Sequence, residues 1–321
     1  MTHRYVSLLA AAAVGVALPL GAVAQDVTFD PPRTEWGDPD FSGHYLAGAY
    51  QSLETRANDS WEQPEGVNQG QGAAFSRFFA PDPDAPPRRR PTGGVSRGPM
   101  VVDPADGRVP LQPWAAEQRN EIMARQDELE HLDPRVKCLP AALPRVHLPV
   151  GYNSYQIVQN PGYILMLYEW NHLYRYIPLD GGPHVDPEIR LGMGDSRGHW
   201  EGNTLVVDVT NFTDNTWPVG HGAPPEGAPG SALTTGHGVF HSGKLHVVER
   251  FTFTDADNIR YEVTIEDPEV FTQPWKISFT ALRRAPDDHI LFEYACHEGN
   301  GRNLSLMTGA DVEAARVHPI R

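Results

Sequence analysis

From Ser154 onward the chain is a succession of short β-prone runs separated by turn signals, with no helical stretch between them. The runs fall at about Ser154–Val158, Tyr163–Trp170, Leu173–Pro178, Gly198–Glu201, Thr204–Val209, Leu245–Thr254, Ile259–Ile265, Trp275–Leu282 and Ile290–Cys296. They carry the β-branched and aromatic residues that suit a pleated, half-buried surface. Asn160-Pro161-Gly162, Asp180-Gly181-Gly182, Gly202-Asn203 and two Asp-rich turns at 255–258 and 285–288 punctuate them. Sequential strands joined this way imply a mainly β fold, an antiparallel meander. Closure into a barrel removes the exposed edges, and a curved two-sheet sandwich is the alternative.

What precedes the strands is different in kind. A basic start (His3, Arg4), an apolar run to Gly21 and the small residues Ala22-Val23-Ala24 read as a signal peptide, residues 1–24, cleaved after Ala24. The run is short and contains Pro19, which argues against a membrane anchor. The expected location is therefore periplasmic. Residues 25–112 form an irregular arm rich in Pro and Gly, with APDPDAPPRRRPTGG at its extreme. Within it GDPDFSGHY leads from a turn into a possible first strand. Pro113 opens one helix, WAAEQRNEIMARQDELEH, which stops by Asp133 ahead of Pro134. The division is then helix and connector over 113–137, β domain over 138–300 and C-terminal tail over 301–321.

Charge and cysteine narrow the partners. With 26 basic against 41 acidic residues the net charge is −15. Such a surface repels nucleic acid and anionic lipid, so neither nucleic-acid binding nor stable membrane insertion is expected. A small-molecule ligand or substrate is. The only cysteines, Cys138 and Cys296, are expected to pair in an oxidising compartment. Closing so long a loop contributes about 5 kcal/mol as an upper guide.

One stretch invites a hydrolase reading. Gly194-Asp195-Ser196-Arg197-Gly198 matches G-x-S-x-G, but a nucleophile elbow needs a helix after the serine. Here Gly202-Asn203 and a second β run follow, so GDSRG reads as a turn and Ser196 as no nucleophile. The same stretch, MGDSRGHWEGNTLVVDVTNFTD, resembles a block that recurs in a large, mostly uncharacterised family of exported bacterial β-rich proteins. EWGDPDFSG, VVDPADGRVPLQP, GYNSYQIVQNPGYILMLYE, IPLDGGPH, LHVVERFTFTDADNIRYEVTIEDP and EYACHEGN resemble further blocks in the same order. The resemblance spans nearly the whole chain after residue 24 and brings no reaction, cofactor or catalytic residue with it. His199 stands where the family has Arg, and Gly301 where an aromatic follows E-G-N.

Strand alternation sorts the candidates. In LHVVERFTF, Glu249 shares a row with Leu245, Val247, Phe251 and Phe253, while His246 and Arg250 lie on the other. Tyr261 falls in the apolar row of the next run and Trp275 in that of the one after. A carboxylate among apolar neighbours needs a partner or a proton, which suits a general acid and equally a structural ion pair with Arg175 or Arg250. Tyr163, Leu165, Leu167 and Glu169 form a second such row, ending near His172 and Arg175. The expected catalytic residues are Glu169, His172 and Glu249, facing one enclosed space. Arg175, His246, Arg250, Tyr261 and Trp275 are the expected substrate-binding residues. His237, His241 and His246 lie close in sequence, but a Gly-rich loop gives no ligand geometry, so no metal and no cofactor are expected.

These residues point to an enzyme acting on a small, partly apolar organic molecule by general acid–base chemistry. Lyase, isomerase and hydrolase reactions all fit. A non-enzymatic carrier of a hydrophobic small molecule is the competing class.

Overall fold

A computed structural model of the chain describes residues 29–47, 53–54, 99–125, 129–131, 133–135, 137–148, 154–220, 238–286 and 288–296. The expected signal peptide, the Pro-rich stretch of the arm and the C-terminal tail lie outside them.

Ten strands follow the chain order β1 (Gly43–Ala47), β2 (Val101–Asp103), β3 (Ser154–Asn160), β4 (Tyr163–Tyr168), β5 (Tyr174–Pro178), β6 (Asp195–Glu201), β7 (Thr204–Thr210), β8 (His246–Phe253), β9 (Asn258–Glu266) and β10 (Trp275–Arg284). They form one antiparallel sheet of order β5-β4-β3-β1-β10-β9-β8-β7-β6, with β2 also paired to β10. The sheet curls until it is nearly closed into a barrel, which decides between barrel and sandwich. β5 and β6 end the strand order and pack together along a seam without a shared ladder.

Two local readings are corrected and one is extended. The possible first strand of the arm is present as β1, which sits between β3 and β10 and completes the wall. Its His44 and Tyr45 pair with Gln156 and Tyr155 on one side, and Tyr45 and Leu46 with Arg284 and Arg283 on the other. Ile290–Cys296 is not a strand: Tyr294 donates its backbone N–H to His172 Nε2 and stacks its ring on Trp170. Ile290 and Phe292 there are exposed. The helix α1 (Pro113–Ala124) ends earlier than expected, its C-cap Arg125 bonding back to Glu121. It buries only a narrow contact through Ala115 and Ile122, in keeping with its weak apolar stripe.

Inward rows on adjacent strands build the core. Val247, Phe251 and Phe253 of β8 stand beside Ile259, Tyr261 and Ile265 of β9, and Trp275, Ile277 and Phe279 of β10 continue them. Each such side chain contributes about 1.5–3 kcal/mol on burial. A bulge between Thr280 and Leu282 shifts the register, so Leu282 points inward and keeps the core continuous. Cys138 and Cys296 are bonded, with Cα atoms 5.8 Å apart, as expected.

Candidate active site inside the barrel

The inward row of β8 carries Glu249 into the barrel, level with Val207 on β7 and Val263 on β9. It is fully buried. A carboxylate there requires partners, and three elements supply them. β5 alternates Tyr174 and Tyr176 outward with Arg175 and Ile177 inward, so Arg175 enters from across the seam. Its Nη2 donates to Glu249 Oε2 in a close ion pair, and its Nε donates to Ser196 Oγ at 2.8 Å. Tyr261 on β9 donates its hydroxyl to Glu249 Oε1 at 2.8 Å.

The third element is not a strand. A single helical turn, Arg145–His147, precedes β3 and places His147 in the interior, where it is fully buried. Its Nε2 lies 3.5 Å from Glu249 Oε1 and 3.5 Å from the Tyr168 hydroxyl. Its Nδ1 lies 3.2 Å from the Tyr155 hydroxyl. With Nε2 facing a carboxylate, the ring proton belongs on Nε2, and Nδ1 accepts from Tyr155. The rings of Tyr155, Tyr168, Phe251 and Tyr261 surround the imidazole with centroids 5.0–5.7 Å away.

Burial sets the protonation states. It drives His147 well below the ordinary imidazole range, and the Arg175 charge adds to that. It pushes Tyr155 and Tyr261 well above the ordinary phenol range, seconded by Tyr168 at the first and Glu249 at the second. Tyr168 rises for the same reason, opposed by Arg175. Burial, the largest single effect, would lower Arg175, but the Glu249 charge and hydrogen bond together with Tyr168 and Tyr261 outweigh it and the guanidinium is held charged. The centre thus joins an ion pair, a neutral imidazole and three phenolic hydroxyls in a low-dielectric interior. Arg175 Nη1 is buried without a hydrogen bond of normal geometry, although the guanidinium and the Tyr168 hydroxyl still interact.

Of the expected site residues, the fold brings Glu249, Arg175 and Tyr261 together. Trp275 is interior but one level away, opposite Ile265 and in edge contact with Phe271. Glu169 and His172 do not join them. In β4 the buried row is Ile164, Met166 and Tyr168, not the row that runs to Glu169. Both rows of YILMLY are apolar, so alternation left the choice to pairing. Cross-strand matches of Tyr155 with Tyr168 and Ile157 with Met166 settle it. Ser154 Oγ bonds Glu169, and positive φ at Asn171 and His172 turns His172 outward, where it is exposed. The two line an outer recess of about 470 Å³ with Leu167, Leu173, Leu291 and Phe292.

His246 and Arg250 also lie on the outer face. His246 Nε2 is 2.8 Å from Asp208 Oδ2, and Arg250 Nη2 donates to Glu201 Oε2 at 2.7 Å. His241 is separately buried, its Nδ1 donating to Ser242 O and its Nε2 accepting from Thr216 Oγ1. His237 lies outside the described residues. Among the described residues no three His, Cys, Asp or Glu side chains are grouped to hold a metal ion. Ser196 sits within β6 rather than in a turn, and the strand–turn–strand that follows it gives no elbow.

His147, Tyr155 and Tyr168 were missed. His147 lies in LPRVHLP, where neighbouring prolines break every period that would assign a face. The available signal was a lone His two residues after Arg145 in a connector whose other residues are apolar. No protein-family model, curated protein or solved structure matches this chain.

Proposed function

We propose that the protein is an exported, periplasmic enzyme that acts on a small, partly apolar carbonyl compound by general acid–base chemistry inside the barrel. The observation that carries this reading is a fully buried His147 between Glu249 and Tyr155, beside the Arg175 guanidinium, whose Nη1 makes no hydrogen bond of normal geometry. A neutral imidazole takes a proton at one nitrogen and gives one from the other. Arg175 Nη1 is the donor for a carbonyl oxygen, and in a dry interior such a donor stabilises developing negative charge strongly. An anion would meet the Glu249 carboxylate, so a neutral carbonyl group fits better. The disulfide suits an oxidising compartment, and among the described residues no helix is long and apolar enough to cross a membrane.

The experiment is a turnover screen of the purified protein against small carbonyl compounds, followed by His147→Gln. Gln keeps a hydrogen-bonding side chain and removes the titrating ring. The expected result is a roughly 100-fold or larger loss of turnover with the fold intact. Undiminished turnover in the folded variant, or binding without turnover in the wild type, contradicts the enzyme reading.

A further inference from the structure

The interior centre is closed to solvent, with His147 and Glu249 fully buried and Arg175 only 3% exposed. The place where the described wall lacks a ladder is the β5–β6 seam. Side chains hold it: Arg175 to Ser196 on the inside, and Gly198 close against Ile177 and Leu179. A Cβ at Gly198 would stand 2.6 Å from Leu179 Cδ2, so the glycine permits that approach.

The connection 179–194 joins the two seam strands, and His184 near its middle stands between two carboxylates. Its Nδ1 is 2.8 Å from Asp195 Oδ2 and its Nε2 is 2.7 Å from Asp208 Oδ1. The series continues outward: Asp208 Oδ2 meets His246 Nε2 at 2.8 Å, and His246 Nδ1 lies 3.8 Å from Glu266 Oε2. Arg197 and the Val185 N–H also donate to Asp195. The charged groups around the pair of histidines are therefore Asp195 and Arg197 from β6, Asp208 from β7 and Glu266 from β9.

Only an imidazolium carries N–H groups on both sides. Protonated, His184 fastens the connection to β6 and β7 at once. Neutral, it keeps one of the two bonds and turns a lone pair on the other carboxylate. Asn211 holds the carbonyls of Val185, Asp186 and Ile189 whatever the pH, so loosening is confined to the part of the connection next to β5.

We propose that the β5–β6 seam is the portal to the interior centre and that the series Asp195–His184–Asp208–His246 is a proton-operated latch on it. The portal role rests on the interior reading above; the latch does not. Electrostatics agree in direction. The Asp208 hydrogen bond raises His246, so its contribution is full below the unfolded value of about 6.5 and is lost as pH rises through the raised value. The His246 hydrogen bond lowers Asp208, whose contribution holds above about 3.8 and is lost as pH falls through the lowered value. The Asp208–His246 end of the series is thus tightest in mildly acidic solution and loosens as pH rises through the raised His246 value.

Hydrogen–deuterium exchange of the full chain, corrected for intrinsic exchange rates, tests it at about pH 5.5 and about pH 8. The expected result is a loss of protection of about tenfold at the higher pH in residues 174–184, next to β5, with no such loss at that pH in β9 and β10. His184→Gln should remove the pH dependence, giving low protection at both values, and Asp208→Asn should do the same. Equal protection at both pH values in the wild type, or a retained pH dependence in both variants, overturns the latch. Exchange is read without ligand, so that failure leaves the interior reading standing. Undiminished turnover in His147→Gln would instead sink the interior reading and the portal role with it, and leave the latch standing.

Discussion

Glu249 is a carboxylate that no water reaches, and its neighbours explain how it persists. Arg175 neutralises it, Tyr261 donates to it and His147 faces it. Such a pair adds little net stability over an apolar replacement, yet removing one partner is costly. We expect Glu249→Gln to lower the unfolding free energy by about 3–5 kcal/mol, because it strands the Arg175 charge. The double change Glu249→Leu with Arg175→Met should recover most of that loss in urea titrations. A full loss in the double variant would mean that the pair carries stability rather than chemistry. The sequence exposed Glu249 because a lone acid interrupts a strict apolar row. It did not expose His147, because no periodic element contains that residue and only the folded turn 145–147 aims it inward.

Among the elements, legibility followed the contrast between the two faces of a strand. β8, β9 and β10 each alternate an apolar row with a polar one, so Val247, Tyr261 and Ile277 could be assigned to the interior in advance. β4 has no such contrast, and its facing was set by register against β3, which a single strand does not encode. The placement of Glu169 and His172 failed with it. β1 shows a second limit. GDPDFSGHY announced a strand, but its insertion between β3 and β10 depends on partners more than a hundred residues away. Ile290–Cys296 shows a third, since an apolar run meets strand propensity and still lies irregularly when its backbone finds a side-chain acceptor in His172.

Across the whole molecule, buried and half-buried histidines pull stability in opposite directions with pH. Burial lowers both His147 and His241. The unfolded chain binds protons at these sites below about pH 6.5 while the folded chain does not, so their contribution falls as the solution is acidified. Each group adds a slope of at most about 1.4 kcal/mol per pH unit. His246 acts oppositely, losing its contribution on the alkaline side. We expect unfolding free energy to fall between about pH 7 and about pH 5, and the fall to be shallower in His147→Gln. An identical slope in that variant would show that His147 is not held neutral.

The claim that the barrel interior is a reaction centre meets its most direct test in the steady-state kinetics of Arg175→Lys. Lysine keeps the positive charge beside Glu249 but has no second N–H arm to occupy the position of Nη1. With a carbonyl substrate in hand, kcat/KM should fall by about 100-fold while the unfolding midpoint stays close to that of the wild type. An unchanged kcat/KM in a folded Arg175→Lys protein would contradict the account, because Arg175 Nη1 would then take no part in the reaction.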